Sequence, residues 1–398
     1  MNLLDVRDLR VSFPTADGIV QAVRGVSFTV EPGRTLGIVG ESGSGKSVSV
    51  QTLMGLTAGA DVDGEALFDG QDLLTMGERE MRRVRGAQIA MIFQDPLSSL
   101  HPHYRVGWQI IEMIREHEPQ MSKAEARKRA IEMLGLVGIP QPDRRVDDYP
   151  HQFSGGMRQR AMIAMGLSLH PKLIIADEPT TALDATVQAQ ILDLMRRLQR
   201  EFDTALIMIT HDLGVIADMA DDVLVMYGGK AAEESDRRTL YYRPHHPYTK
   251  GLLESVPGAS GAKGTRLKPI PGQPPSLINL PGGCVFHPRC EYVMARCRTE
   301  APPLHAVATD ESGTDGTHLS ACWLPRDAIG LTPAAEEMRL AAVTEGGGPK
   351  ANGAATPAPK TDVTKTDASA SDAPDASAPK TDVSKAPAQA EPNEEGTE

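Results

Sequence analysis

At 398 residues, with 40 % hydrophobic and only 4 % aromatic side chains, the chain has room for one large domain plus extras, or two ordinary domains, around a mainly aliphatic core. No apolar run approaches the roughly 20 residues of a bilayer span, and the N-terminal MNLLDVRDLR carries charges where a secretory signal would be apolar. The chain is therefore expected in the cytoplasm, reaching any membrane through a partner. The net charge of −12 disfavours nucleic acid as a partner.

Leu3 to Phe13 and Gly25 to Val30 alternate as antiparallel strands, with a turn region around Asp17-Gly18. Leu36 to Val39 reads as a short buried strand that runs into a glycine-rich loop and a helix from about Ser47. Ile89 to Phe93 is another apolar strand. A helical stretch follows, in which Ser122 and Glu125 make a capping box ahead of apolar residues at Ala126, Ala130, Ile131, Leu134 and Val137. Then Leu173 to Ala176 is a strand, Val187, Ile191, Leu194, Leu198 and Phe202 mark one helix face, and Ala205 to Ile209 and Val223 to Met226 are further strands. Strands alternating with helices predict a mainly parallel sheet, with a helical insertion over about 95–155.

After about Ser255 proline, glycine and scattered cysteines replace periodic patterning. From about Glu345 the chain is built of Ala, Pro, Lys, Thr, Asp and Ser, with ten acids against five lysines, and APKTDVTK at Ala358–Lys365 recurs as APKTDVSK at Ala378–Lys385. Such composition buries too little apolar surface to offset ordering entropy and predicts a disordered spacer. The expected organisation is an α/β nucleotide-binding domain over 1–255, an extension over 256–330 and a largely disordered tail over 331–398.

Gly40 to Ser47 reads GESGSGKS, a complete G-x-x-x-x-G-K-S phosphate loop between a strand and a helix. Gly40, Gly43 and Gly45 let the backbone fold tightly, so that its N–H groups, with those of Ser42 and Ser44, face phosphate. Lys46 supplies a compact cation for the β- and γ-phosphates, and the Ser47 hydroxyl a Mg²⁺ ligand. LIIADE at Leu173–Glu178 ends an apolar strand in two acids. Asp177 is suited to hold Mg²⁺ through water, and Glu178 to polarise the attacking water.

FSGGMRQR, at Phe153 to Arg160, lies between the two. Here the chain resembles the ABC transporter ATPases from Leu3 to about Lys230. That family's signature usually reads L-S-G-G-Q. Ser154, Gly155 and Gly156 match it, whereas Phe153 and Met157 depart from it as in the peptide-importer branch. The resemblance implies a P-loop ABC-type fold, with an N-terminal antiparallel subdomain, a parallel core sheet and an inserted helical subdomain. It further implies that Gln94 senses Mg²⁺ and the attacking water, that Asp184 crosses a dimer interface, that His211 contacts the γ-phosphate and that Phe13 stacks on adenine. ATP would lie between the phosphate loop of one subunit and Ser154–Gly156 of another. The implied partners are transmembrane permease subunits, a second ATPase subunit (a heterodimer in preference) and, indirectly, an extracytoplasmic solute-binding protein. The implied place is the cytoplasmic face of the membrane.

Cys284, Cys290, Cys297 and Cys322 are spaced C-x₅-C-x₆-C-x₂₄-C, without the tight pairing of a zinc ribbon. GCVFHPRCEYVMARC at Gly283–Cys297, with RPHHPYT at Arg243–Thr249, resembles the C-terminal extension of dipeptide and oligopeptide importer ATPases. In some of these, four such cysteines hold a [4Fe–4S] cluster. A zinc ion or free thiols fit the residues as well. A nickel or other small-solute importer of the same branch, and a soluble ABC ATPase, are the alternative functions. A single ATPase unit without coiled-coil heptads or a basic arm speaks against the soluble class.

Overall fold

The aliphatic runs along the chain are long because their strands are covered on both faces. In the computed structural model, which describes residues 2–95, 99–181, 183–255, 269–307, 318–325 and 328–329, a central sheet holds β3 (Thr35–Val39), β6 (Ile89–Ile92), β7 (Leu173–Asp177), β8 (Ala205–Thr210) and β9 (Asp222–Tyr227). These five run parallel in the order β9-β3-β8-β7-β6. Along β7, Leu173 and Ile175 enter one apolar core, while Ile174 and Ala176 enter the other. Along β8, Ala205, Ile207 and Ile209 alternate with Leu206 and Met208 in the same way. A strand with two buried faces has no polar phase, and so appears in the sequence as an unbroken apolar run.

The first of these cores is closed by a second sheet. In it β1 (Leu4–Thr15) pairs antiparallel with β2 (Gly18–Val30) and β4 (Asp61–Phe68), and β4 with β5 (Gln71–Asp72). Both hairpin strands extend further toward the turn than their alternation suggested, because Pro14–Thr15 pairs with Gly18–Ile19 beyond the apolar stretch. The other core is covered by α3 (Val106–His117), α4 (Lys123–Leu136) and α6 (Gly155–Leu167), with the short α5 (Pro142–Arg145) between them, and by α7 (Ala185–Phe202) and α8 (Leu213–Met219). Helix α1 (Lys46–Leu53) follows β3, and α2 (Glu78–Val84) precedes β6. The capping box stands at the start of α4: the Glu125 N–H donates to Ser122 Oγ (3.2 Å) and the Ser122 N–H to the Glu125 carboxylate (2.9 Å). Ala126, Ala130, Leu134 and Val137 are buried, as their spacing predicts.

The parallel core is extended by an antiparallel edge that the sequence did not signal. β10 (Lys230–Asp236) pairs with β9 and, on its other side, with β12 (Leu319–Ser320), which pairs with β11 (His305–Ala306). The reason is chemical: β10 reads KAAEESD, too polar for a core strand. Yet Glu233 within it is fully buried, because its carboxylate accepts the His245 N–H (2.6 Å), the His246 N–H (2.9 Å) and a bond from His318 Nε2 (2.6 Å). Helices α9 (Arg237–Tyr242), α10 (Pro247–Glu254) and α11 (Ala295–Thr299) complete the described α-helices. Phe286 packs on Tyr227 and Tyr248, so the extension shares the large core rather than building its own. The tail and its repeated octet lie outside the described residues.

Candidate functional site

The carboxyl ends of β3, β7 and β8 meet on one side of the central sheet, where ligands of open α/β folds bind. The loop after β3 is built around glycine for steric reasons. Gly45 has φ 100°, and a Cβ there would lie 2.3 Å from the Ala22 carbonyl oxygen. Gly43, at φ 77°, has open space around that position. Lys46 opens α1 and is 5 % exposed; its Nζ donates to the carbonyls of Gly40 (2.7 Å) and Glu41 (2.9 Å), which aims the ammonium back across the loop. Ser44 Oγ is buried and has no hydrogen-bond partner among the described residues. Ser42 is exposed at the loop's tip. Loop N–H groups, a helix N-terminus, a buried ammonium and an unmatched hydroxyl are the donor set that a polyphosphate requires.

Ser47 Oγ donates to Asp177 Oδ1 (2.8 Å) at the end of β7. Burial pushes the Asp177 carboxyl up, against the Ser47 hydrogen bond and the charge of Lys46. Burial pushes the Lys46 ammonium down, against Glu178, Asp177 and Glu41. Each group thus gains from an added opposite charge, a divalent cation beside Asp177 and phosphate beside Lys46.

Glu178 follows with φ 47°, in the left-handed region that costs a non-glycine residue on the order of 1–3 kcal/mol. The strain turns its carboxylate into a cluster. Oε2 accepts from Gln94 Nε2 (3.0 Å) and Thr181 Oγ1 (2.9 Å), and Oε1 lies 3.3 Å from His211 Nδ1. Gln94 follows β6 and His211 follows β8, so neighbouring parallel strands deliver all three to one place. Gln94 bonds to Glu178, while Ser47 and Asp177 bond to each other. Thr181 had no sequence signal of its own.

The remaining candidates stand apart from this cluster. Ser154 caps α6, accepting the Met157 N–H (3.3 Å), and is exposed with Gly155. Gly156 faces Val187 so closely that a Cβ would come within 2.8 Å of its methyl. Phe153 is 2 % exposed and Met157 packs on the same core, which accounts physically for apolar residues at both ends of the S-G-G step. Asp184 caps α7, accepting the N–H groups of Thr186 (3.1 Å) and Val187 (3.0 Å). Phe13 is half-buried in β1 opposite Val20. Cys284, Cys290, Cys297 and Cys322 line one pocket with Phe286, Pro302 and Trp323. Burial raises the Cys290 thiol to about 11 and the Cys322 thiol to about 12. Among the described residues no three His, Cys, Asp or Glu side chains are placed to hold a single metal ion, as a zinc ion with sulfurs about 2.3 Å from it would require.

A phosphate loop, a strand-end carboxylate pair and a Ser-Gly-Gly cap on an inserted helical subdomain define an ATPase of the ATP-binding-cassette class. Residues 23–181 match the ABC transporter family, and residues 232–297 match the oligopeptide/dipeptide transporter C-terminal region. The chain is similar to the oligopeptide transport ATP-binding protein OppD of Salmonella typhimurium, 52 % identical over 324 residues, covering 81 % of this chain and 94 % of that one. It is also similar to the dipeptide transport ATP-binding protein DppD of Bacillus subtilis, 51 % identical, with coverage of 81 % and 94 %. A solved ATP-binding cassette, MJ0796, in a dimeric post-hydrolysis state bound to ADP and Pi, superposes with a TM-score of 0.54 at 26 % identity, covering 59 % of this chain and 99 % of that one. The chain belongs to the ATP-binding subunits of the oligopeptide/dipeptide ABC transporter family.

Proposed function

We propose that the chain, as the ATP-binding subunit of an ABC importer for dipeptides or oligopeptides, binds MgATP at Gly40–Ser47 and hydrolyses it to drive uptake. The observation that carries this reading is the convergence of Lys46, Ser47, Asp177, Glu178, Gln94 and His211 at the ends of adjacent strands, while Ser154–Gly156 makes no bond to that cluster. One chain then supplies half of each ATP site. A second ATPase subunit, by preference a non-identical one, supplies the Ser154 hydroxyl and the Gly155 and Gly156 N–H groups across the nucleotide, and its Asp184 lies at the shared interface. The dimeric cassette MJ0796 supports this pairing. Ser47 and Asp177, with Gln94, would hold Mg²⁺, which would supply charge neutralisation at the phosphates. Glu178 accepts the proton of the attacking water, Gln94 and His211 position that carboxylate and the γ-phosphate, and Phe13 lies against the base. The same proposal takes 1–255 as the ATPase, 256–330 as the extension and 331–398 as a spacer. No helix among the described residues is long and apolar enough to cross a membrane, so permease subunits would hold the protein at the cytoplasmic face and receive solute from a binding protein.

Purification from its native membrane in mild detergent tests the assembly. Two multi-spanning subunits and a second ATPase are expected, together with ATP hydrolysis stimulated by a peptide-loaded binding protein. Ribosomes or DNA as the recovered partners would reverse the transport reading. Lys46→Ala is expected to weaken ATP binding by about a hundredfold, the value of a buried charge-assisted phosphate contact of about 3 kcal/mol, measured by titration with a fluorescent ATP analogue.

The four cysteines line one pocket, and four thiolates suit an iron–sulfur cluster, as the resemblance to the peptide-importer extension implies. Cys284, Cys290, Cys297 and Cys322 would hold it as thiolates. Bound there, it would staple the extension and supply no redox step to ATP hydrolysis. Anaerobically purified protein is expected to be brown and to contain iron; colourless, iron-free protein of unchanged thermal stability would remove the cluster.

A further inference from the structure

Glu41, the second residue of the phosphate loop, is held at three points, two of them from beyond the ATPase motifs. Its carbonyl accepts Lys46 Nζ (2.9 Å), its N–H donates to the hydroxyl of fully buried Tyr248 (2.8 Å), and its carboxylate takes a bidentate pair from Arg289 (2.5 and 2.9 Å). Arg289 closes a short turn, His287–Arg289, in the C-terminal extension, 248 residues away in sequence. All five of its N–H groups have acceptors: the two Glu41 oxygens, the Pro271 carbonyl (2.8 Å), the Tyr227 hydroxyl (3.3 Å) and the Ile270 carbonyl (3.5 Å). Its side chain is 5 % exposed against 26 % for that of Glu41. An acid in a loop that must receive a polyanion is an electrostatic liability unless it is neutralised, and a guanidinium fork neutralises and orients it at once.

We propose that Arg289 is a positioning residue of the nucleotide site. It cancels the Glu41 charge beside the triphosphate and, through the Glu41 carbonyl, fixes where Lys46 presents its ammonium. The extension is on this view part of the ATP site, whether or not the cysteines carry a cluster. The inference rests on the phosphate loop being the ATP site. A second link runs along the same segment: Gln21 N–H donates to the Leu277 carbonyl (3.0 Å), and Ile278 sits so close to Gly18 that a Cβ there would lie 3.0 Å from its methyl, tying the extension to the β1–β2 hairpin that carries Phe13.

The test compares Arg289→Ala, Glu41→Gln and the double variant in the full chain, by fluorescent-ATP titration, steady-state ATPase assay and thermal melting. Arg289→Ala leaves Glu41 charged and unpaired, so the Kd and KM for ATP are expected to rise about tenfold or more, as for breaking one side of a buried ion pair, while kcat changes less. Adding Glu41→Gln removes the stranded charge and is expected to restore ATP affinity to within a few-fold of wild type. Unchanged ATP affinity in Arg289→Ala overturns the proposal, as does a loss that Glu41→Gln does not repair, which would make Arg289 a packing residue only. Should Arg289→Ala not fold, Arg289→Met with Glu41→Gln keeps the stem and removes both charges; near-normal ATP affinity there supports charge compensation, and a lost affinity in the folded protein rejects it. Failure of wild type itself to bind ATP would instead strike the nucleotide-site reading, so the two failures are distinct.

Discussion

Glu178→Gln is expected to retain ATP binding while turnover falls by about a hundredfold or more, the usual worth of a positioned general base. The carboxylate that the change neutralises is the acceptor around which Gln94, Thr181 and His211 are arranged. An amide keeps the shape and one oxygen. That oxygen can go on accepting from Gln94 and Thr181, while the new NH₂ faces His211 Nδ1, which accepts in one imidazole tautomer. The cluster is thus expected to survive while its ability to take a proton does not, which separates chemistry from folding. In the dimer proposed above, the uncleaved γ-phosphate would hold two subunits together, so size-exclusion chromatography with ATP should show a long-lived dimer that wild type does not accumulate. Wild-type turnover in this variant would move the base elsewhere, with His211 the next group to test. Because Glu178 adopts a left-handed backbone conformation at φ 47°, Glu178→Gly would relieve strain and is expected to be at least as stable as Glu178→Gln, yet equally inactive.

The candidate nucleotide site was legible in the sequence because each of its parts is a short contiguous motif at a strand end. A phosphate loop has to be GESGSGKS-like locally, since its glycines answer local steric demands such as the Ala22 carbonyl against Gly45. LIIAD reads as a strand because both its faces are buried. What stayed illegible depends on pairings across long separations. Nothing near Arg289 points to Glu41, and nothing in KAAEESD announces that one of its glutamates is enclosed. In the extension proline, glycine and scattered cysteines replace periodic patterning, so its packing partners have no local sign. The extension borrows the face of Tyr227 and Tyr248 for Phe286 and the edge of β10 for Leu319 and Ser320. The two departures from the usual signature have a physical reason, contact with the helical core, that became visible only in three dimensions.

That enclosed acid carries the largest expected stability effect. Glu233→Ala is expected to destabilise the protein by about 3–5 kcal/mol, since several buried donors lose their acceptor at about 1–3 kcal/mol each. It removes the acceptor of the His245 and His246 N–H groups and of the His318 imidazole, all of them buried. Burial alone would raise the Glu233 carboxyl, but the hydrogen bond and charge of His318, with the His245 N–H, hold it below the ordinary glutamate value. Its contribution is therefore complete above the unfolded pKa and is lost as pH falls through the lower folded one. His246 acts in the same direction. Burial lowers its pKa to about 4, and its Nδ1 accepts the Tyr248 N–H (3.1 Å) at the start of α10, which requires that nitrogen to be unprotonated. From the ordinary histidine value down to about 4, the unfolded chain takes up a proton that the folded one refuses. Stability thus falls with pH by up to about 3 kcal/mol from this group. Chemical denaturation from pH 7 to well below the ordinary glutamate value should show both slopes in wild type, the His246 part first. Glu233→Ala should start several kcal/mol lower and lose the more acidic part of the dependence. Because Tyr248 also holds the Glu41 N–H, partial unfolding of this corner in acid should loosen the phosphate loop, and ATP affinity should decline together with stability rather than after it.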